Sequence, residues 1–487
     1  MASVADEAFY QLGSNLKVPL RLHKNNRQRL CNCLKARDDV KSGSVILLQG
    51  GETQCRYSSD RELLFRQESY FHWAFGVLEP DVFGTIDVDT GKAELFFPKL
   101  HPDYAVWMGK LEDKDHFKAK YEVDDCHWVC EMPRVLFDKN PSEVLTLRGK
   151  NTDSDTIHPE ATFDGIEKFK VNNTSLFPEM SECRVFKSAE EIEVLRHANK
   201  ISSEAHRELM RRIEPGMHEF QMESIFHDYC YRNGGMRWLA YTGICACGPS
   251  GAVLHYGHAG AANNQPIRDG DLCLFDLGAE YYCYTSDITT TFPANGKFTE
   301  KQKVIYNAVL DANRSVFKAC KPGVSWLEMH YLAERTILTH LKNNGIIVGD
   351  LDDMMDCRFG AVFMPHGLGH FLGIDVHDVA GYPKGGTERI LKPGLKSLRT
   401  TRALDAGMVI TIEPGCYFIE SQLDAAFANP KHAKFMVKER IDEYRGSGGV
   451  RIEDTVTITE TGIENLTDVP RTVEEIEKFM ADARKGQ

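Results

Sequence analysis

Four acids and one histidine-rich loop are the residues through which this chain could do chemistry. Asp276 closes the apolar run Asp271-Leu-Cys-Leu-Phe-Asp-Leu277. Asp287 follows on what reads as the second arm of the same hairpin, sharing a face with Thr285, Thr289 and Thr291. Glu413 caps the apolar strand that starts at Gly407. Glu453 lies in Gly449–Ile458, where Arg451, Glu453, Thr455 and Thr457 share one face and Val450, Ile452, Val456 and Ile458 share the other with Asp454. Any one of these acids alone reads as an ordinary strand-end or surface carboxylate. Together they set four negative charges among core-like neighbours, and unpaired burial of converging carboxylates costs several kcal/mol each. Two divalent cations would cancel that charge.

A further ligand comes from Met364-Pro-His-Gly-Leu-Gly-His370-Phe-Leu-Gly-Ile-Asp-Val-His377, with three histidines separated by Gly367, Gly369 and Gly373. Glycines let backbone approach a site closely, and neutral imidazole is a common metal ligand. Oxygen-rich ligation with one imidazole favours Mn²⁺ or a similar metal over structural zinc. Metals about 3.5–4 Å apart can hold and deprotonate a bridging water, so hydrolysis is the expected reaction class.

These residues need a scaffold that brings distant strands together. Asp271–Leu277 is expected to turn at Gly278-Ala-Glu280 into Tyr281–Phe292, Gly407–Glu413 to end at Pro414-Gly415, and Gly449–Ile458 to form a third strand. Ser188-Ala-Glu-Glu191 reads as a capping box opening a helix that Pro215-Gly216 stops, and a second helix runs from about Glu219 to Arg232. The chain before it reads as mixed α/β, with strands at Ser44–Gln49, Phe83–Val88 and Ala93–Phe97, the last two joined across Asp89-Thr-Gly91. The expected domains are 1–183, mixed α/β, and 184–487, α+β and carrying the site.

Bulk properties narrow the function. The chain has 487 residues, 42% of them hydrophobic, and a net charge of −13. Acidity argues against nucleic-acid partners, and the basic stretch Arg21 to Lys41 alternates with leucines as an amphipathic surface helix does. No apolar run approaches the ~20 residues of a membrane span. The Met1–Glu7 segment has neither the basic start nor the apolar core of a signal peptide. The 14 cysteines lack disulfide-scaffold spacing. Cys31-Asn-Cys33, Cys245-Ala-Cys247 and Cys126-His-Trp-Val-Cys130 read as free thiols, which suits a reducing cytosol.

The set Asp276, Asp287, His370, Glu413 and Glu453 resembles, one for one, the metal ligands of the pita-bread metallopeptidases, which comprise methionine aminopeptidases, aminopeptidase P and prolidases. The flanking strings agree: Ala252-Val-Leu-His-Tyr-Gly-His258, Ser286-Asp-Ile288, His366-Gly-Leu-Gly-His370, Ser397-Leu-Arg-Thr400, Ile412-Glu-Pro-Gly415 and Val450-Arg-Ile-Glu453. Leu64-Phe-Arg-Gln-Glu-Ser69, Phe71-His-Trp-Ala-Phe-Gly76 and Phe292-Pro-Ala-Asn-Gly-Lys-Phe298 extend the likeness to eukaryotic prolidases over nearly the whole chain.

The resemblance implies a pita-bread catalytic domain that hydrolyses Xaa-Pro dipeptides and releases proline. It implies that Asp287 and Glu453 bridge two metals, that Asp276 serves one, and that His370 and Glu413 serve the other. Glu413 would also shuttle the proton. His255 and His377 would contact substrate and steady the tetrahedral intermediate, assisted by His366. Arg399 would bind the dipeptide's carboxylate, Arg451 would orient Glu453 or touch substrate, and Tyr241 would stand beside the ligands. A homodimer is implied. Trp107 is the candidate for an aromatic brought to the partner's site, an ordinary structural tryptophan being the alternative. The chain departs from the prolidase pattern at Gly243, at Ala246 to Ser250 and at Gly278-Ala279, away from every ligand. The rival readings are an aminopeptidase P acting on longer peptides and a non-catalytic peptidase-like binding module.

Overall fold

The computed structural model describes residues 8–257 and 263–485. Met1–Glu7, read above for a leader, and His258 lie outside the described residues. Two compact units are present, Met1–Glu191 and Ile192–Gln487.

In the first unit a six-stranded mixed sheet is built from β1 (Ser44–Gln49), β2 (Phe83–Asp87), β3 (Ala93–Phe97), β4 (Asp125–Trp128), β5 (Glu143–Thr146) and β6 (Val171–Asn172), in the order β4-β3-β2-β1-β5-β6. The central β1, Ser-Val-Ile-Leu-Leu-Gln, is buried almost throughout, as its unbroken apolar run requires. The β2–β3 hairpin turns at the expected residues. Asp87 accepts the Thr90 N–H and hydroxyl, both at 2.8 Å, and Gly91 takes φ +74°. The basic stretch folds as α1 (Arg21–Lys35), which buries Leu22, Leu30 and Leu34.

The helix α2 (Ala189–Arg212) opens on the expected capping box: Ser188 N–H donates to Glu191 at 2.9 Å, and Glu191 N–H to Ser188 Oγ at 3.3 Å. α3 (Glu219–Gly234) ends at Gly235, φ +64°. Beyond it, β7 (Ile244–Cys247), β8 (Leu272–Asp276) and β9 (Thr289–Pro293) form an antiparallel sheet ordered β9-β8-β7. Helices α4 (Glu300–Ala319) and α5 (Trp326–Asn343) follow. The last strands are β10 (Val409–Ile412), β11 (Gly415–Tyr417), β12 (Gly449–Arg451), β13 (Asp454–Ile458) and β14 (Ile463–Asn465), arranged as β10-β13-β14 and β11-β12.

Two expectations about strands need correction. The β8–β9 connection reverses at Tyr282 and Cys283, with φ +50° and +62°, not at Gly278-Ala-Glu280. Tyr281 and Tyr284 exchange N–H···O bonds of 2.9 Å around it. Neither central residue belongs to the glycine, asparagine and aspartate set that usually marks such a turn. Gly278 serves a close approach instead, since a Cβ there would lie 1.9 Å from the Ser286 carbonyl oxygen. The expected single strand Gly449–Ile458 is two strands. Ile452 N–H turns to Pro414 O at 3.3 Å and Glu453 N–H to Thr289 O at 3.1 Å, so the ladder breaks where the acid sits.

Candidate active site

That break brings two of the acids face to face. Ile412 pairs with Asp454, and Gly415 with Arg451. Extending either ladder sets Glu413 opposite Glu453. The Glu413 N–H leaves the ladder for Leu368 O at 2.8 Å, which ties β10 to the histidine loop. Gly369 lies so close to this strand that a Cβ would stand 2.0 Å from Thr411 O. Thr411 exchanges two contacts with His370: its N–H donates to His370 O at 2.9 Å, and its Oγ1 accepts the His370 N–H at 3.1 Å. Trp326 of α5 donates from Nε1 to Gly369 O at 3.2 Å. The loop is held from both sides.

His370 directs Nδ1 at the Phe371 carbonyl, 2.9 Å away. A carbonyl only accepts, so Nδ1 carries a proton and the ring turns Nε2 toward the acids. That Nε2 lies 3.3 Å from Asp287 and 3.6 Å from Glu413. Ligand atoms of Asp287, His370 and Glu453 all fall within 4.8 Å of one another.

Asp276, at the end of β8, is held by two donors at 2.6 Å: the Tyr241 hydroxyl on Oδ1 and Arg451 Nη2 on Oδ2. Arg451 also donates to Thr289 Oγ1 at 3.1 Å and Tyr417 Oη at 2.8 Å. Thr289 Oγ1 donates in turn to Glu453 at 2.8 Å, and Thr455 Oγ1 donates to Asp287 O at 3.0 Å. Tyr417 donates to His366 Nε2 at 3.0 Å, while His366 Nδ1 holds Gly367 O at 2.7 Å. Of the threonines expected on these faces, Thr289 and Thr455 reach the acids, while Thr285 and Thr291 bond Gly373 O and Arg451 O.

The electrostatics test whether these residues suit divalent cations. Burial, then repulsion from Asp276 and Glu413, pushes the Asp287 carboxyl well above its ordinary range. Burial, then Asp287 and Asp276, does the same to Glu453. Burial and the facing Glu453 push Glu413 up to about 8. Arg451 supplies one positive charge against four carboxylates. An imidazole with Nε2 turned inward and an oxygen-rich, under-compensated acid cluster fit hard divalent cations. His366, drawn down to about 4 by burial and Arg451, stays neutral at physiological pH. Burial, His370 and Arg399 lower His377 strongly, and its ring stacks edge-on against His370 at 4.5 Å between centroids. His255, on an exposed turn, adds its weight to the lowering of both. Trp107 lies in the first unit, 85% exposed.

Three contributors were missed. Tyr417 stands two alternations after Glu413 in an extended segment, a signal that strand periodicity contains. Thr411 is similarly placed in β10. His206 left no such trace. Mid-way along α2, its Nε2 donates to Leu277 O and its Nδ1 accepts from Thr290 Oγ1, both at 2.9 Å, fixing the β8–β9 hairpin from beneath.

The model of Metallopeptidase family M24 matches residues 193–460, which contain every residue of this cluster. The chain belongs to that family. The model of the aminopeptidase P N-terminal domain matches residues 23–145. Among curated relatives, the Xaa-Pro dipeptidase of Homo sapiens is 58% identical over 486 residues, covering 100% of this chain and 98% of its own length. That of Rattus norvegicus is 57% identical, with 100% and 99% covered. Among solved structures, Zn-substituted Escherichia coli aminopeptidase P in complex with product matches with a TM-score of 0.77 at 31% identity, covering 97% of this chain and 100% of that one. Pseudomonas aeruginosa aminopeptidase PepP also gives 0.77 at 31%, covering 96% and 99%. The expected architecture, an N-terminal α/β domain followed by a pita-bread catalytic fold, is the one present. As an M24 metallopeptidase the chain has its metal-capable group at Asp287, His370 and Glu453.

Proposed function

We propose that residues 184–487 form the domain that hydrolyses Xaa-Pro dipeptides and releases free proline. The observation that carries this reading is likeness to Xaa-Pro dipeptidases from end to end at 58% identity. Asp276, Asp287, His370, Glu413 and Glu453 would hold two divalent cations, Mn²⁺ before others, because four oxygen ligands and one imidazole suit it. When bound, such a pair supplies Lewis acidity and a water of lowered pKa.

The chain's own residues do the rest. Glu413 would take a proton from water and deliver it to the departing proline nitrogen, as a carboxylate beside both can. A proline amide has no N–H, so the site needs no acceptor for one. His255 and His377 donate to the developing oxyanion, with His366 as support. Arg399 grips the terminal carboxylate as a planar fork. Tyr241 and Arg451 hold Asp276 in place.

The enzyme works in the cytosol as a homodimer. Fourteen free thiols suit a reducing compartment, and the exposed Tyr104, Val106, Trp107 and Met108 suit burial against a second copy.

The test is hydrolysis of Gly-Pro and Gly-Pro-Gly by metal-stripped protein with and without Mn²⁺. Cleavage of Gly-Pro alone, and only with metal, is expected. Cleavage of the tripeptide would favour the aminopeptidase P reading, and inertness toward both would leave a binding module.

A further inference from the structure

We infer that Glu219 is a positioning residue that aims His255, acting through Tyr256 and seconded by Asn263. Glu219 opens α3 and is fully buried, 0% exposed, yet it touches none of the metal or substrate residues named above. Its carboxylate accepts three hydrogen bonds, from Tyr256 Oη at 2.6 Å, Cys247 N–H at 2.8 Å and Gln265 N–H at 3.0 Å. Its own N–H donates to Gln265 O at 3.0 Å. One carboxylate thus ties three separate pieces of chain, and the first of them is the residue directly after His255.

A second clasp lies one helical turn on. Glu223 accepts from Asn263 Nδ2 at 2.8 Å, which also reaches Gly243 O at 3.0 Å, while Asn263 Oδ1 accepts the Cys245 N–H at 2.9 Å. Glu219 and Glu223 stand four residues apart and so share a helix face. Gly257 packs into the same corner at φ +96°, where a Cβ would lie 3.0 Å from Gly243 O and 3.2 Å from Asn263 Oδ1. Tyr256 N–H donates to Val253 O at 3.1 Å, closing the turn over Leu254 and His255. His255 is exposed and sits on this turn, so the turn and its anchor set where the backbone presents the ring. A displacement of about 1 Å at a reacting group can cost a hundred-fold in rate. A carboxylate that fixes the turn therefore controls how well the imidazole meets the oxyanion.

The inference rests on the reading of His255 as a residue that contacts substrate. The experiment is steady-state hydrolysis of Gly-Pro by Mn²⁺-loaded enzyme, comparing Glu219→Gln, Tyr256→Phe, His255→Ala and the doubles combining His255→Ala with each of the others. Glu219→Gln and Tyr256→Phe are expected to lower kcat about ten-fold or more, with KM and bound metal changed by less than about two-fold. In the His255→Ala background either substitution should change kcat by less than about two-fold, because its effect passes through the missing imidazole. The same fold-loss in both backgrounds would overturn the inference and leave Glu219 a fold anchor. A His255→Ala enzyme with unchanged kcat and KM would instead overturn the reading of His255 itself. If Glu219→Gln does not fold, Tyr256→Phe, which removes one hydroxyl, carries the same comparison.

Discussion

Asp276 and Arg399 pose the sharpest questions that single residues can answer. Asp276 already holds a guanidinium and a phenol at 2.6 Å, so its charge is spent on orientation as well as on any cation. Asp276→Asn keeps the shape and loses the charge. Turnover should fall at least about a hundred-fold and bound metal should drop by about one ion per chain, by metal analysis of the purified variant. Full activity with full metal content would refute the two-metal proposal. Arg399→Ala is expected to raise KM for dipeptides by about ten-fold or more, and to leave KM for dipeptide amides, which lack the carboxylate, nearly unchanged. An equal rise for both would remove Arg399 from the substrate carboxylate. The acids were legible because charge accounting is local arithmetic. His206 and Glu219 were not, since a buried polar residue inside a helical pattern announces no partner.

At the scale of elements, the β8–β9 hairpin is the part on which the site depends most. Its two arms meet at Gly278, where no side chain fits beside the Ser286 carbonyl. Gly278→Ala should cost about 1–3 kcal/mol by urea unfolding, from overpacking against backbone, and activity should fall with it. Beneath the hairpin, burial draws the His206 imidazole down to about 4 from its ordinary 6.5. A histidine lowered in this way binds its proton more readily in the unfolded chain. Its stabilising effect is complete above pH 6.5 and is lost as pH falls from 6.5 toward 4, by about 3 kcal/mol. His206→Gln, which cannot titrate, should unfold in urea with a weaker pH dependence between 7.5 and 5. An unaltered dependence would show that other groups carry the acid sensitivity.

For the whole molecule, the acid cluster links metal to stability. Three carboxylates raised by burial and mutual repulsion burden the metal-free fold. A cation present at a hundred times its dissociation constant adds about 2.7 kcal/mol. Chelation should therefore lower Tm by about 3 °C or more, and added Mn²⁺ should restore it, by calorimetry of the full chain. A Tm indifferent to chelator would mean that the cluster holds no tightly bound cation.

Apolar runs set β1, β8 and β10, reciprocal capping by Ser188 and Glu191 set the start of α2, and Asp-Thr-Gly set the β2–β3 turn. These signals act between residues a few positions apart, so the sequence by itself determined them, together with the four acids and the histidine loop. Tertiary structure alone decided the break between β12 and β13, where Glu453 finds partners in Thr289, 164 residues away. It alone placed the hairpin reversal at Tyr282–Cys283, tied Asp276 through Arg451 and Tyr417 to His366, and gave Glu219 its three donors. The physical reason is the same in each case: a hydrogen bond to a remote element follows no period along the chain, and forms only once packing has brought its partner within reach.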